Sequence, residues 1–455
     1  MPRLLFLCIL LISPTLYAET LLELYEQAVK NDPQLKIAEY EVLANQELKP
    51  QAQAALAPQL TLGGGVSENF SQSDFLSGDN QEFTNANYNL SLSYALYRRN
   101  LNIAVDQTDS VVARTEAAYE SEKQGLMLRL AQAFFDILAA DDNVSFARST
   151  KDAFERQLDQ AQKRFEVGLI AITDVQESQA GYDLAVADEI QALNQVDNAK
   201  EALREIIGSS DSDLNLSQTL SEEMELVSPD PENIDEWTTI ALENSPQVLA
   251  AKHAIETSMQ EIKKQRAANL PTVDLVAQHG YRDRLRGDDD PTGASQGTDN
   301  SIGIQVGYLL FEGGGIRARV REAQRRHTQA LDQLTQAQRT VQRQTRNAYL
   351  NVLSSISRIK AAKQALTSTE TALEAVQIGY EVGTRTSVDV LNARRDLLQA
   401  QRDYASSRYG YVLNTLGLKQ AAGLIALDDF EKINQWLVKA EAADEVVEVE
   451  EESEG

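Results

Sequence analysis

The feature that most constrains this chain is a short motif that occurs twice. The stretch "RFEVGLIAITDVQ" at 164–176 is echoed by "GYEVGTRTSVDVL" at 379–391, at an offset of 215 residues. Four further pairs of segments follow in the same order at offsets between 213 and 215, among them "NDPQL" at 31–35 with "NSPQV" at 244–248. An ordered series at nearly constant offset indicates an internally duplicated chain.

Each repeat is predicted to run as helix, strand pair, long helix, corner and return helix. Apolar residues at helical spacing predict the helices, and alternation of apolar with polar residues predicts the strands. The first repeat, 19–208, has its strands at 58–69 and 86–97, its long helix at 101–166, its corner at 167–174 and its return helix at 174–207. The second, 236–423, has the same elements at 271–281, 301–311, 316–381, 382–387 and 387–419.

The four strands predict a shared sheet if the protein enters a membrane. Each strand has one apolar and one polar face, and the two loops, 70–83 and 282–300, are too long for tight hairpin turns. Lipid does not tolerate an open sheet edge, and the smallest membrane barrels have about eight strands, so several chains would have to share one barrel. Two, three or four copies would all satisfy this, and a soluble sheet that caps a coiled coil is the alternative.

The first residues predict export from the cytoplasm. Arg3, an apolar run over 4–12 and Ala18 have the layout of a signal peptide at 1–18, although Leu16 is not the small residue usual before the cut. Cys8 is the single cysteine and lies in that segment, so the mature chain would have no disulfide or thiolate metal site. The net charge of −27 argues against nucleic acid as a partner, and the last residues form an acidic tail.

Catalytic and metal-binding motifs are not expected in this chain. Its three histidines, His253, His279 and His327, stand at no ligand or catalytic spacing to one another. The sequence therefore predicts a protein that is not an enzyme and that needs no cofactor and no metal.

The segments 156–176 and 379–391, with the spacing set by the duplication, resemble the TolC family of outer-membrane exit ducts of Gram-negative bacteria. The resemblance covers essentially the whole mature chain and favours the TolC-like branch over the lipid-anchored branch. It implies a mixed α and β membrane protein: a homotrimer that shares one outer-membrane β-barrel, with four strands per chain, continued by a long α-helical coiled-coil tunnel in the periplasm. The connection 209–235 and the region after Gly423 would form an equatorial belt, and 424–455 would comprise this equatorial end and the acidic tail.

The resemblance also implies a function. Such a duct receives cargo from an inner-membrane pump or ABC transporter through a periplasmic adaptor protein, in tripartite efflux or type I protein secretion, and is gated at its periplasmic end. Its barrel contacts outer-membrane lipid. A periplasmic coiled-coil adaptor or scaffold is the alternative, although the four alternating strands count against it. The cargo is not predicted.

Site residues follow from the same resemblance, position by position. The gate latch would consist of Thr173, Asp174, Tyr380 and Arg385. Asp389 would narrow the pore, with Asn392 at the place where the family has a second aspartate. Adaptors would contact the corners at Val167, Gly168, Val382 and Gly383.

The same corners also have a purely structural interpretation. Thr173 with Gln176, and Thr386 with Asp389, have the spacing of a helix capping box, in which each side chain bonds the backbone of the other. On this interpretation the polar residues begin a helix and do nothing more.

Overall fold

The computed structural model describes residues 20–71, 81–208, 218–221, 224–286 and 296–439. The predicted signal peptide and the acidic tail lie outside the described residues. The chain divides into two compact units. The helical unit comprises 1–37, 120–245 and 340–455, and the sheet unit comprises 38–119 and 246–339.

Ten helices and six strands are present in the described residues. The helices are α1 (Leu21–Asn31), α2 (Pro33–Gln46), α3 (Leu48–Ala54), α4 (Arg99–Glu166), α5 (Ile172–Ile207), α6 (Ile234–Asn244), α7 (Pro246–Ala267), α8 (Gly315–Glu381), α9 (Ser387–Ala421) and α10 (Leu427–Trp436). The strands are β1 (Gln59–Ser71), β2 (Gln81–Tyr97), β3 (Gln218–Leu220), β4 (Thr272–Arg286), β5 (Gln296–Gly307) and β6 (Leu437–Lys439). None of these helices combines the length and the apolar character needed to span a bilayer.

The strands differ from the predicted bounds. β2 begins at Gln81 and β4 continues to Arg286, so the strands take up parts of both predicted loops. The prediction of a strand to residue 311 is wrong, because β5 ends at Gly307. The reason is that Gly307 pairs with Thr272, the first residue of β4, and Pro271 before it has no backbone N–H to continue the ladder.

The sheet unit contains an antiparallel sheet with the strand order β1-β2-β4-β5 and two different faces. One row of paired residues crosses the apolar face: Leu60, Leu92, Ala277 and Ile302. The next row crosses the polar face: Thr61, Ser91, Gln278 and Ser301. On the apolar face, Leu60 is 67% exposed and Ile302 is 77% exposed.

The outer strands of this sheet, β1 and β5, have one strand partner each in the described part of the chain. They pair over long stretches, β1 along its whole length with β2, and β5 with β4. Each therefore leaves one row of backbone N–H and C=O groups without a partner strand, next to an exposed apolar face.

The core of the helical unit includes a stripe on α4. Leu130, Phe134 and Ile137 are completely buried, as expected for residues at helical spacing that face neighbouring helices. Phe134 and Phe135 meet edge to face, with ring centroids 5.4 Å apart. At the end of this unit's chain, β6 pairs antiparallel with β3.

Candidate functional site

The first corner lies in the helical unit, between α4 and α5. Gly168 has φ of 76°, the left-handed conformation that glycine adopts without strain. Its N–H donates to the carbonyl of Phe165 at 2.8 Å, and the N–H of Leu169 donates to the carbonyl of Arg164 at 2.9 Å. These two bonds form the Schellman motif, which satisfies the last carbonyls of α4 and turns the chain.

The second corner, between α8 and α9, has the same turn. Gly383 has φ of 80°, its N–H donates to the carbonyl of Tyr380 at 3.1 Å, and the N–H of Thr384 donates to the carbonyl of Gly379 at 2.8 Å. The N–H of Arg385 and the Thr384 hydroxyl also donate to that Gly379 carbonyl, at 3.1 and 3.0 Å. The second corner is therefore the more internally hydrogen-bonded of the two.

The helix starts after the two corners are different. α9 begins with a complete capping box: the Thr386 hydroxyl accepts from the Asp389 N–H at 3.2 Å, and the Asp389 carboxylate accepts from the Thr386 N–H at 2.9 Å. The capping box predicted for Thr173 and Gln176 is wrong. α5 begins two residues earlier than 174, with Ala171 as its N-cap, and an alanine side chain has no oxygen to accept a hydrogen bond.

The capping box governs the charge of Asp389. The backbone N–H of Thr386, and then its hydroxyl, donate to the carboxylate and lower the pKa of Asp389 below its usual range. The positive charge of Arg385 acts in the same direction. Asp389 therefore keeps its negative charge to lower pH than an ordinary aspartate, and Asn392 follows it by one helical turn on α9.

The contact between the corners involves a residue that the resemblance did not indicate. Arg164 Nη1 donates to the Tyr380 hydroxyl at 2.8 Å, and its guanidinium carbon lies 5.2 Å from the centre of the Tyr380 ring. Both side chains are half-buried. In the sequence, Arg164 is marked only by its position in the last helical turn before the first corner. Tyr380 has the corresponding position before the second corner.

In the described part of the chain, the predicted latch residues of the first corner make no side-chain hydrogen bond to Tyr380 or Arg385. Thr173 is exposed at the second position of α5, and Asp174 is half-buried at the third. The Asp174 side chain makes no hydrogen bond or ion pair with another described residue. Its backbone carbonyl accepts from the Ser178 hydroxyl at 2.9 Å. A latch from Tyr380 and Arg385 to this carboxylate stays a prediction about the assembled protein.

Apolar side chains are exposed around both corners. Val167 is 69% exposed, Leu169 is 73% exposed and Val382 is 69% exposed. Ile172 and Ile378 are exposed beside them. The residues predicted to contact an adaptor thus lie in two exposed apolar patches, the kind of surface that often marks a protein interface.

Buried packing holds the helices that carry these corners. Leu158, Ala161 and Val175 form one cluster between α4 and α5, against which Ile170 packs. In a second cluster, Leu391 of α9 joins residues of α4 and α5: Phe154 and Ala185. A Cβ at Gly181 would lie 2.9 Å from the Phe154 ring, so glycine is required for this close approach.

Comparisons with known proteins agree over almost the whole chain. Residues 24–209 and 237–424 match the family model for outer membrane efflux proteins. The chain is 34% identical to the outer membrane protein TolC of Vibrio cholerae over 94% of this chain and 95% of that protein. It is 27% identical to the alkaline protease secretion protein AprF of Pseudomonas aeruginosa, over 95% and 90%.

A solved structure shares the fold. The CmeC outer membrane channel of Campylobacter jejuni superimposes with a TM-score of 0.75 at 18% identity, over 92% of this chain and 89% of that one.

Proposed function

This chain belongs to the outer membrane efflux protein family and is an outer-membrane exit duct for efflux and type I secretion, and we propose that its two helix corners form the gate at the periplasmic end. The observation that carries this proposal is that both corners fall inside the matched ranges and have the same turn geometry. Relatives of this chain are channel proteins and not enzymes, and they work with other proteins in tripartite systems.

The sheet supports a barrel shared by three copies. A sheet with two unpaired edges and an exposed apolar face would leave backbone groups unsatisfied in lipid. Joining β5 of one copy to β1 of the next satisfies both edges. The apolar rows then face lipid and the polar rows face the lumen. Three copies give twelve strands, the number that the family resemblance implies.

The copy number has its own test. Native mass spectrometry of the detergent-solubilised protein is expected to show three chains. A stable monomer whose sheet remains protected from hydrogen exchange would contradict the shared barrel, because its outer strands would then need no neighbour.

The corners are the expected docking site for a periplasmic adaptor. Val167 and Leu169 of the first corner and Val382 of the second corner expose apolar area that a helical hairpin of the adaptor would cover. Gly168 and Gly383 let the chain turn back so that these side chains stand outermost. An inner-membrane pump or ABC transporter would deliver cargo through that adaptor.

The latch between copies joins the first corner of one copy to the second corner of another. Asp174 has an unused carboxylate, and Tyr380 and Arg385 of the other corner carry donors that suit it. Hydrogen bonds to a charged group contribute roughly 1.5–3 kcal/mol each, which is enough to hold a gate shut and little enough for a partner to break. Thr173, exposed beside Asp174, adds a hydroxyl to the same network.

Asp389 and Asn392 are proposed to line the constriction. In a trimer, Asp389 contributes three carboxylates, which favour cations and bind a multivalent cation. Within one chain, the hydrogen bonds from Thr386 lower the pKa of Asp389 and so favour the charged carboxylate. Asn392, where the family has a second aspartate, supplies no charge and leaves the ring of Asp389 to act alone.

Single-channel recording in a planar bilayer tests the duct and its constriction together. The wild type is expected to give small, cation-selective currents that a trivalent cation blocks from the tunnel side. Asp389→Ala is expected to need about tenfold more of that cation for block, since three charges are lost. Glu177→Ala, which removes an exposed carboxylate from α5, is the matched control and keeps the wild-type block.

Two outcomes would contradict parts of this proposal separately. Folded protein that makes no pore would contradict the duct. A pore whose block is the same in Asp389→Ala and in the wild type would leave the duct in place and remove Asp389 from the constriction.

A further inference from the structure

Arg164 makes two contacts with one side chain of the other corner. Its Nη1 donates to the Tyr380 hydroxyl at 2.8 Å, and its guanidinium lies over the Tyr380 ring at 5.2 Å from the centre. The first contact is a charge-assisted hydrogen bond and the second a cation–π interaction. Both side chains are half-buried, whereas Glu166 and Glu381, the last residues of the two helices, are exposed.

The two Schellman turns fix both partners. The carbonyl of Arg164 accepts the N–H of Leu169 in the first turn, and the carbonyl of Tyr380 accepts the N–H of Gly383 in the second. Each residue is thus held by the backbone bond that ends its own helix. The contact links the two turns directly, and any movement that separates the ends of α4 and α8 must break it.

Arg164 forms its side-chain contact with Tyr380 and not with a carboxylate in the described part of the chain. Its neighbour Lys163 pairs with Asp159 at 2.7 Å, four residues back on the same helix, while Arg164 makes no ion pair there. No described carboxylate therefore competes with the tyrosine for this guanidinium. The Tyr380 hydroxyl accepts from Arg164, and its own proton remains free to be donated.

We propose that Arg164 is a positioning residue of the gate, which holds Tyr380 against α4 and strengthens its hydroxyl as a donor to the latch carboxylate. This inference rests on the proposed gate. Arg164 donates to the Tyr380 oxygen, and the Tyr380 O–H donates to Asp174 in the closed assembly. Hydrogen bonds in such a chain polarise one another, so the tyrosine is a better donor with Arg164 than without it.

The proposal predicts an ordered series of leaks. Arg164→Gln removes the charge and the ring contact with Tyr380, so it is expected to raise the closed-state conductance about threefold. Tyr380→Phe removes the hydroxyl that donates to the latch carboxylate, and is expected to raise the closed-state conductance more. Arg164→Lys keeps a cation that can lie over the Tyr380 ring, and is expected to leak less than Arg164→Gln.

The closed-state conductance of these variants, recorded with the melting temperature of each, tests the role. Lys163→Gln is the matched control, because it removes the adjacent positive charge and is expected to leave the conductance at the wild-type value. Arg164→Gln combined with Tyr380→Phe is expected to leak no more than Tyr380→Phe alone, since Arg164 acts through the Tyr380 hydroxyl.

The outcomes separate this inference from the gate itself. Wild-type conductance in Arg164→Gln, while Asp174→Asn leaks, would overturn the role of Arg164 and keep the latch. Equal leaks in Arg164→Gln and Lys163→Gln would also overturn it, because the effect would then be one of general charge. If Arg164→Gln does not insert, the same decision rests on Arg164→Lys: a leak as large as that of Tyr380→Phe would overturn the proposal.

Discussion

In the first corner an aspartate, Asp174, follows an alanine N-cap by three residues, whereas in the second corner Asp389 follows a threonine N-cap by the same distance. The two turns before them have nearly the same backbone, with left-handed glycines at φ of 76° and 80°. The side chain of the N-cap residue therefore determines whether each carboxylate is hydrogen-bonded within its own helix. Thr386 forms a capping box with Asp389, whereas Ala171 has no side-chain oxygen or hydroxyl to bond with Asp174. The Asp174 carboxylate can therefore accept hydrogen bonds from another corner.

The residues that follow Gly168 and those that follow Gly383 also differ in whether they bond within their own corner. In the first corner Leu169 is exposed and Ile170 packs on the cluster between α4 and α5. In the second corner Thr384 and Arg385 bond back to the carbonyl of Gly379. Both corners expose a valine, Val167 and Val382, but the residues after the glycine add apolar area at the first corner and a self-bonded polar surface at the second.

The largest effect is expected where both corners meet in the latch. Asp174→Asn alters the first corner and Arg385→Ser the second, and each is expected to raise the closed-state conductance several-fold, because each removes a charged partner from a bond of roughly 1.5–3 kcal/mol. Combined in one protein, they should leak little more than the stronger single variant. Effects that simply multiply would mean that the two residues do not share an interaction.

A smaller effect, a loss of stability equal at the two positions, is expected when the corner glycines are replaced. Gly168→Ala and Gly383→Ala place a Cβ in the left-handed region, which costs about 1–2 kcal/mol, and neither Cβ would have a heavy atom within 4 Å. Both should therefore lower the melting temperature by similar amounts. Gly410→Ala is the control of opposite sign, because Gly410 lies inside α9 with open space around it and alanine favours a helix. Unequal losses at the two corners would show that the turns are not equivalent.

The smallest of these effects concerns the threonine cap and pH. Thr386→Val keeps the shape of the side chain and removes its hydroxyl, which is expected to cost about 1 kcal/mol of stability. Since the cap lowers the pKa of Asp389, its contribution is complete above about pH 4 and is lost as the pH falls through the lowered pKa.

Trivalent-cation block measured against pH shows this shift. The wild type should keep its block to lower pH than Thr386→Val does, because Asp389 stays charged for longer in the wild type. Identical pH profiles in the two proteins would mean that the capping box does not set the charge of Asp389.

Much of the fold follows from patterns that repeat along the chain. The buried stripe of Leu130, Phe134 and Ile137 and the alternation around Leu92 and Ile302 could be read directly, because helical and strand periodicities are local. The end of β5 could not be predicted from such a local pattern. It depends on which residue pairs with Gly307, and strand register is set by a distant part of the chain.

The candidate site was predictable in its backbone and less so in its contacts. Gly168 and Gly383 mark the turns, and Thr386 with Asp389 has the capping spacing that the structure contains. For the first corner the same spacing rule pointed to Thr173, two residues after the observed N-cap Ala171, because the helix start is fixed by the turn and not by the nearest threonine. Arg164 touches Tyr380 across 216 residues of sequence, a distance that local patterns do not bridge.

Ala171→Thr tests whether the free carboxylate of the first corner holds the gate shut. This change gives α5 the same N-cap as α9, so a capping box is expected to capture Asp174. Ala171→Val, with the same shape and no hydroxyl, is the control. Ala171→Thr is expected to have a melting temperature at or above that of the wild type and a closed-state conductance several-fold higher, whereas Ala171→Val is expected to keep the wild-type conductance. A raised melting temperature with wild-type conductance would contradict the claim, because Asp174 would then be tied up without any loss of closure.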